Sequence, residues 1–422
     1  MRRRAKLAVI LIGTALSAQA TAEPVERALC IDPPHDRLCP VFPEDQTDFS
    51  RFFEYRVIAA AAQDPFDEYA WRSFTALNWS DLGRDEPAQT NWRDFPREID
   101  VFGAPETACA EAPGAIIASD AQSDGAALID QNGDFIVYET RVNPVAAAYL
   151  AEAGLTTAAG RDARRAAVDF PRGLHGERAA SVLLKTAWRI EPDPAAGMIE
   201  ADGLIPVAAE RSADGRARCI SARLGLVGMH IVAKVQSGHG DKWIWSTFEH
   251  VANAPTASNA REVNSLYARD LFPDGCVPPE APARDAYSLF DPDCPDCPTN
   301  APPQEDVVWA AARPFAVTAS GAPAPRSQIV RCWRIFGPTQ ATNAAWRAAL
   351  NGTRLANYML VSSQWRGANP DPIFPNGELP RYLSNVALES YVQTDPMGTC
   401  LGCHAEARTS GGAPSDFTYL LR

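Results

Sequence analysis

Lysine is almost missing from this chain. Past residue 22 it holds 32 arginines but only Lys185, Lys234 and Lys242. A surface that draws its positive charge from arginine makes each retained lysine worth following. Lys185 falls inside a predicted strand, where burial can lower an amine's pKa and let it act as base or ligand. Lys234 and Lys242 read as solvated side chains. Basic excess is missing as well, with 52 acids against 39 bases and a net charge of −13. That argues against nucleic acid or an anionic membrane surface as partner, and any partner docking through charge would be basic. The plainer reading is a solvated acidic surface. No run of eighteen apolar residues follows the first 22, so no stable membrane insertion is expected. No internal repeat stands out.

The first residues supply what the rest lacks. Met1-Arg2-Arg3-Arg4-Ala5-Lys6 is basic, Leu7–Leu16 is apolar, and Ala18-Gln19-Ala20 and Ala20-Thr21-Ala22 are small-x-small sites. This is the pattern of a signal peptide over residues 1–22, with an apolar run too short to persist as a spanning helix. Export to the bacterial periplasm is expected, leaving a mature chain that starts at Thr21 or Glu23 with a charge near −17 once the leader's four bases are gone.

Ten cysteines suit an oxidising compartment. Two of them, in Cys400-Leu401-Gly402-Cys403-His404, match C-x-x-C-H, the attachment signature of c-type haem. On one helical turn the i, i+3 spacing brings both thiols to one face, where each can bond a haem vinyl, and His404 follows as proximal iron ligand. The alternatives are a thioredoxin-type redox pair, which wants a βαβ context, or half a zinc site, which wants two more ligands; neither context is visible. The other eight cysteines allow up to four disulfides. Cys30 and Cys39 bracket a Pro-rich loop and are expected to pair. Cys294 and Cys297 could form a reactive dithiol, but are expected to staple their loop to Cys276 and Cys332.

Apolar periodicity predicts helices over Thr47–Ala62 and Phe66–Leu77, the second started by Asp64-Pro65. It predicts a hairpin turning at Asn132-Gly133 and a helix from Asn143-Pro144 through Ala153. Strands are expected at residues 181–190, 226–235, 242–251, 328–337 and 356–365, a helix at 339–352, and a helical lead-in at 385–393 before the motif. The fold class is α+β: a β-rich antiparallel core, peripheral helices and a C-terminal helical haem-binding segment. After the leader, residues 23–272 form an N-terminal α+β region, 273–303 a Pro/Cys-rich loop, and 304–422 a C-terminal region carrying the motif, as one large domain or two interlocked ones.

Several blocks together resemble a family of secreted bacterial proteins labelled as mono-haem cytochrome c family proteins. These blocks are YAWRSFTALNW, LIDQNGDFIVYETRVN, LLKTAWRI, LVGMHIVAKV, KWIWSTFEHVANAP, ANYMLVSSQW and LESYVQ followed by CLGCH. The resemblance spans most of the mature chain and implies export and one covalent haem near the C-terminus, without an established reaction. Ala252 stands where that family's pattern has an acid, which puts in doubt any role for a carboxylate there.

Only eighteen residues follow His404, and none is Met, His or Lys. A distal iron ligand must therefore come from upstream, where the choices are His35, His175, His230, His239, His250, Met198, Met229, Met359 and Met397. His230, held inside a strand, is the first candidate, with His250 behind it; an open five-coordinate iron is the alternative. The expected cofactor is one covalent haem c on Cys400, Cys403 and His404, and the expected role is electron transfer with an unidentified redox partner. A haem enzyme and a haem-based small-ligand sensor are the rivals, since the long segment before the motif exceeds what a simple carrier needs.

Overall fold

One long strand organises the molecule. The computed structural model describes residues 38–43, 59–83, 90–103, 109, 115–120, 126–174, 177–237, 240–262, 275–280, 287–366, 378–379, 382–395 and 399–422. The predicted leader, Cys30, His35, His175, His239, Met397 and most of the predicted helix Thr47–Ala62 lie outside them. The strands are β1 (Ile116–Ile117), β2 (Val137–Val142), β3 (Ser181–Ile190), β4 (Glu200–Val207), β5 (Arg218–Ser237), β6 (Gly240–His250), β7 (Thr256–Glu262), β8 (Val307–Trp309), β9 (Ala316–Thr318), β10 (Arg331–Arg334), β11 (Tyr358–Arg366) and β12 (Glu378–Leu379). The α-helices are α1 (Ala59–Leu77), α2 (Glu98–Phe102), α3 (Pro144–Glu152), α4 (Ala158–Ala163), α5 (Gly337–Ala349) and α6 (Cys400–His404).

Strand β5 pairs with β3 along one edge, while β6 and β4 share the other. An eight-stranded, largely antiparallel sheet results, running β1-β4-β5-β6-β11-β12 with β2 added beyond β3. The whole is mixed α/β with a curled sheet and few helices. β11, from the C-terminal region, hydrogen-bonds directly to β6 from the N-terminal region. None of the described helices is long and apolar enough to cross a membrane.

Period-two alternation gives the sheet two faces. Val182, Leu184, Met229, Ile231, Ala233, Ile244 and Phe248 enter the main core, where α1 and α5 cover them. Phe74 stacks on Phe248 at 4.2 Å, Phe66 on Trp365 at 4.2 Å, and Trp71 on Trp346 at 5.7 Å between ring centroids. The other face presents Lys185, His230, Val232, Lys234, Trp243, Trp245 and Thr247. Leu183, Val232, Trp243 and Trp245 of that face pack with Leu401 and Leu421 from the chain's last segment. The register aligns Lys185 with His230 and His230 with Thr247, so the three share one row.

Several expectations are corrected. α1 runs through Pro65 without a break, tied down where Gln63 Nε2 donates to Asp67 Oδ1 at 2.7 Å and to the Ser363 carbonyl at 2.9 Å. The Asn132-Gly133 turn is present, with Gly133 at φ 79°, but its leading arm makes only an isolated bridge, Ile129 to Phe135. Residues 385–393 form bends and turns instead of a helix. The amides of Val386 and Ala387 donate to Glu249 Oε1, and those of Ala387 and Leu388 to Asn385 Oδ1, so side chains intercept the bonds a helix would need. Cys294 pairs with Cys297 and Cys276 with Cys332, so the loop is not cross-linked as expected; Cys109 pairs with Cys219. Cys39 is disulfide-bonded, and its expected partner Cys30 lies outside the described residues.

Candidate functional site

Cys400, Cys403 and His404 share the single turn of α6. Thr399 caps it, its hydroxyl accepting from the Gly402 amide at 2.9 Å, and the Leu401 amide donates to Gln364 Oε1 on β11 at 3.0 Å. The turn is thus fixed to the polar face of the sheet. Cys400 and Cys403 are free thiols, whereas every other described cysteine is disulfide-bonded. Burial pushes the Cys400 thiol well up, and desolvation with the nearby Glu389 charge raises Cys403. Thiols held protonated do not suit nucleophilic thiol–disulfide exchange, which needs a lowered pKa. Among the described residues no three or more His, Cys, Asp or Glu side chains are grouped to hold a bare metal ion, so the pair lacks the further ligands of a zinc site.

His404 is clamped from three sides. Its Nδ1–H donates to the Phe417 carbonyl at 2.8 Å, and its ring lies between Trp245, 4.2 Å away, and Tyr419, 4.9 Å away. That bond fixes the tautomer with the lone pair on Nε2, which meets no hydrogen-bond partner among the described residues. Burial lowers the His404 pKa to about 4, so the ring is neutral. Close by, the Trp245 Nε1 donor and the Ser362 hydroxyl are buried with no hydrogen-bond partner among the described residues. The eighteen residues after His404 supply no ligand, yet they provide the carbonyl and one ring that hold it.

His230 lies on the same face of the sheet, but neither ring nitrogen is open. Nδ1 meets Thr247 Oγ1 at 2.9 Å and Nε2 meets Glu389 Oε2 at 2.8 Å. Lys185 Nζ binds the other oxygen of Glu389 at 3.1 Å, and Asn385 Nδ2 donates to the carboxylate as well. Burial alone would raise Glu389; Lys185 and His230 outweigh it and hold the carboxyl far below the usual range. The buried ion pair of Arg331 with Glu249 anchors the segment before it, through the Ser384 carbonyl and the Val386 amide. Lys185, singled out by its rarity, is therefore engaged near the motif, while the role of Glu389 carried no pattern readable in sequence.

His250 points to the opposite face. Its Nε2 donates to the Ala196 carbonyl at 3.0 Å, its Nδ1 accepts from Ala252, and its ring packs against Tyr358, so both nitrogens are satisfied. Met198 and Met229 are fully buried in apolar clusters, Met229 on the core side of the sheet. Lys234, expected to be solvated, is buried: Nζ binds Asp169 at 2.5 Å and Asp416 at 2.7 Å. The chain matches no family model, no curated protein and no solved structure.

Proposed function

We propose that this chain is an exported mono-haem c-type cytochrome, with haem held through thioethers on Cys400 and Cys403 and through His404 Nε2 on the iron. The observation that carries the reading is one turn of helix bearing the two free thiols found among the described residues, beside a histidine with Nδ1 committed and Nε2 open. That donor set fits the group, because a proximal histidine donates its other N–H to a carbonyl or carboxylate. The unpartnered Trp245 Nε1 and Ser362 Oγ give a bound haem polar contacts the apoprotein does not use. Bound there, the haem would supply one-electron chemistry at the iron. Thr399 caps the turn and Gln364 holds it against β11, Phe417 and Tyr419 orient the imidazole, and the Trp245 ring excludes water from it. The leader and the disulfides support a periplasmic setting, and the acidic surface suits a basic redox partner.

A second reading, redox catalysis or small-ligand sensing at an open iron, is favoured by the commitment of His230 to Thr247 and Glu389 and of His250 to Ala196 and Ala252. His230 ligates the iron only by exchanging Glu389 for it. The test is expression with the leader in a host that attaches haem c, followed by haem staining of a denaturing gel and by visible and EPR spectra. Covalent haem supports the proposal and its absence overturns it. Low-spin six-coordinate iron that becomes high-spin in His230→Ala assigns His230 as distal ligand and favours a carrier, whereas high-spin wild-type iron favours the second reading.

A further inference from the structure

The carbonyl that orients His404 comes from a strained turn. Ser415-Asp416-Phe417-Thr418 closes with the Thr418 amide on the Ser415 carbonyl at 3.2 Å, and its central residues have φ 53° at Asp416 and 63° at Phe417. Two successive left-handed residues make a type I′ turn, which ordinarily takes Asn-Gly. A phenylalanine there is an outlier, and such a conformation persists only where the surroundings impose it. The surroundings act through the Asp416 carboxylate, which accepts from the Phe170 amide at 2.8 Å, Lys234 Nζ at 2.7 Å and Trp243 Nε1 at 3.0 Å. Lys234 is buried on the same sheet face as Trp245, two residues beyond Val232, and its side chain is 4% exposed.

We infer that Lys234 and Asp416 are positioning residues for the haem: the buried pair forces the 415–418 turn into its left-handed form and so aims the Phe417 carbonyl at His404 Nδ1. This rests on the haem reading above. It also accounts for a retained lysine, because a compact ammonium with three donors serves both Asp416 and Asp169, where a planar guanidinium fork would not replace it. A carbonyl on Nδ1 strengthens the imidazole as a donor to iron and stabilises the oxidised state.

The test uses the haem-loaded protein. Asp416→Asn keeps the side chain's size and its tolerance of left-handed backbone but removes the charge that Lys234 meets. It should keep covalent haem while shifting the reduced-to-oxidised ratio at fixed potential at least tenfold towards reduced, 59 mV for one electron. The iron–histidine stretch in resonance Raman should fall with it. Asp169→Asn, which contacts the same lysine but not the turn, should leave both unchanged. Where Asp416→Asn does not accumulate, Trp243→Phe removes a single donor to the same carboxylate and is read in the same way. Unchanged midpoint and stretch in the Asp416 or Trp243 variant, with haem attached, would overturn this inference alone; a wild type without covalent haem would overturn the preceding reading.

Discussion

The chain contains two C-x-x-C segments of identical spacing and opposite state. In the Pro/Asp-rich loop, Cys294 and Cys297 are joined, and the Cys297 amide turns back to the Cys294 carbonyl at 3.2 Å. In α6 the Cys403 amide reaches past Cys400 to the Thr399 carbonyl at 2.9 Å, and both thiols stay free beside a half-buried histidine. The spacing is therefore not the chemistry. A four-residue turn leaves its cysteines only each other, whereas a capped helical turn docked on a sheet offers both thiols and the next side chain to a third body.

The largest expected effect separates the two pairs outright. Cys400→Ala/Cys403→Ala should abolish haem staining on a denaturing gel, while Cys294→Ala/Cys297→Ala should leave it intact; equal loss in both would erase the distinction. Deleting residues 1–22 should keep the chain in a reducing compartment, where the loop pair opens and the helix pair stays unloaded. Mass spectrometry after alkylation should then count every cysteine as a thiol, and a haem-loaded product from that chain would contradict export.

A pH experiment sharpens the contrast within α6. Because desolvation and Glu389 raise Cys403 above its ordinary 9.0, the protonated thiol is favoured to higher pH. In folded, haem-free, oxidised protein its alkylation by iodoacetamide should be slow at neutral pH and climb only above pH 9.0, falling roughly tenfold for each unit its pKa rises. Unfolding in urea should bring it back to the rate of a free cysteine. Equal rates in folded and unfolded chains would show that the fold does not hold this thiol protonated. The smallest effect concerns the cap: Thr399→Ala should lower unfolding stability by about 1 kcal/mol without removing the haem, as denaturant titration can measure.

The sheet was legible because β3, β5, β6 and β11 carry period-two alternation that survives burial of both faces. So was the helical turn that carries Cys400, Cys403 and His404 together, since it lies within five residues. The lead-in at 385–393 was not. Its apolar spacing is helical, and only Glu249, distant in sequence, reveals that its amides are taken. Disulfide partners follow from the three-dimensional path and not from loop composition, which is why Cys276 and Cys332 were assigned to the wrong cysteines. The Asp416-Phe417 turn gave no signal, because neither Gly nor Asn marks it; its conformation is imposed by Lys234, a residue that sequence alone placed in solvent.

The distances along the chain that these contacts span carry a kinetic consequence. Lys234 and Asp416 lie 182 residues apart, His230 and Glu389 159, and Gln63 and Ser363 300. No local segment contains the site, so closing these long loops must precede any gain from the contacts they make, which places folding among the slow, non-local topologies. The turn that aims His404 cannot form before β5 and the chain's last residues have met. A mature imidazole geometry would therefore be among the last events on the folding path, and a spectroscopic probe of His404, or of the iron in the haem-loaded protein proposed above, would report completion of the whole sheet.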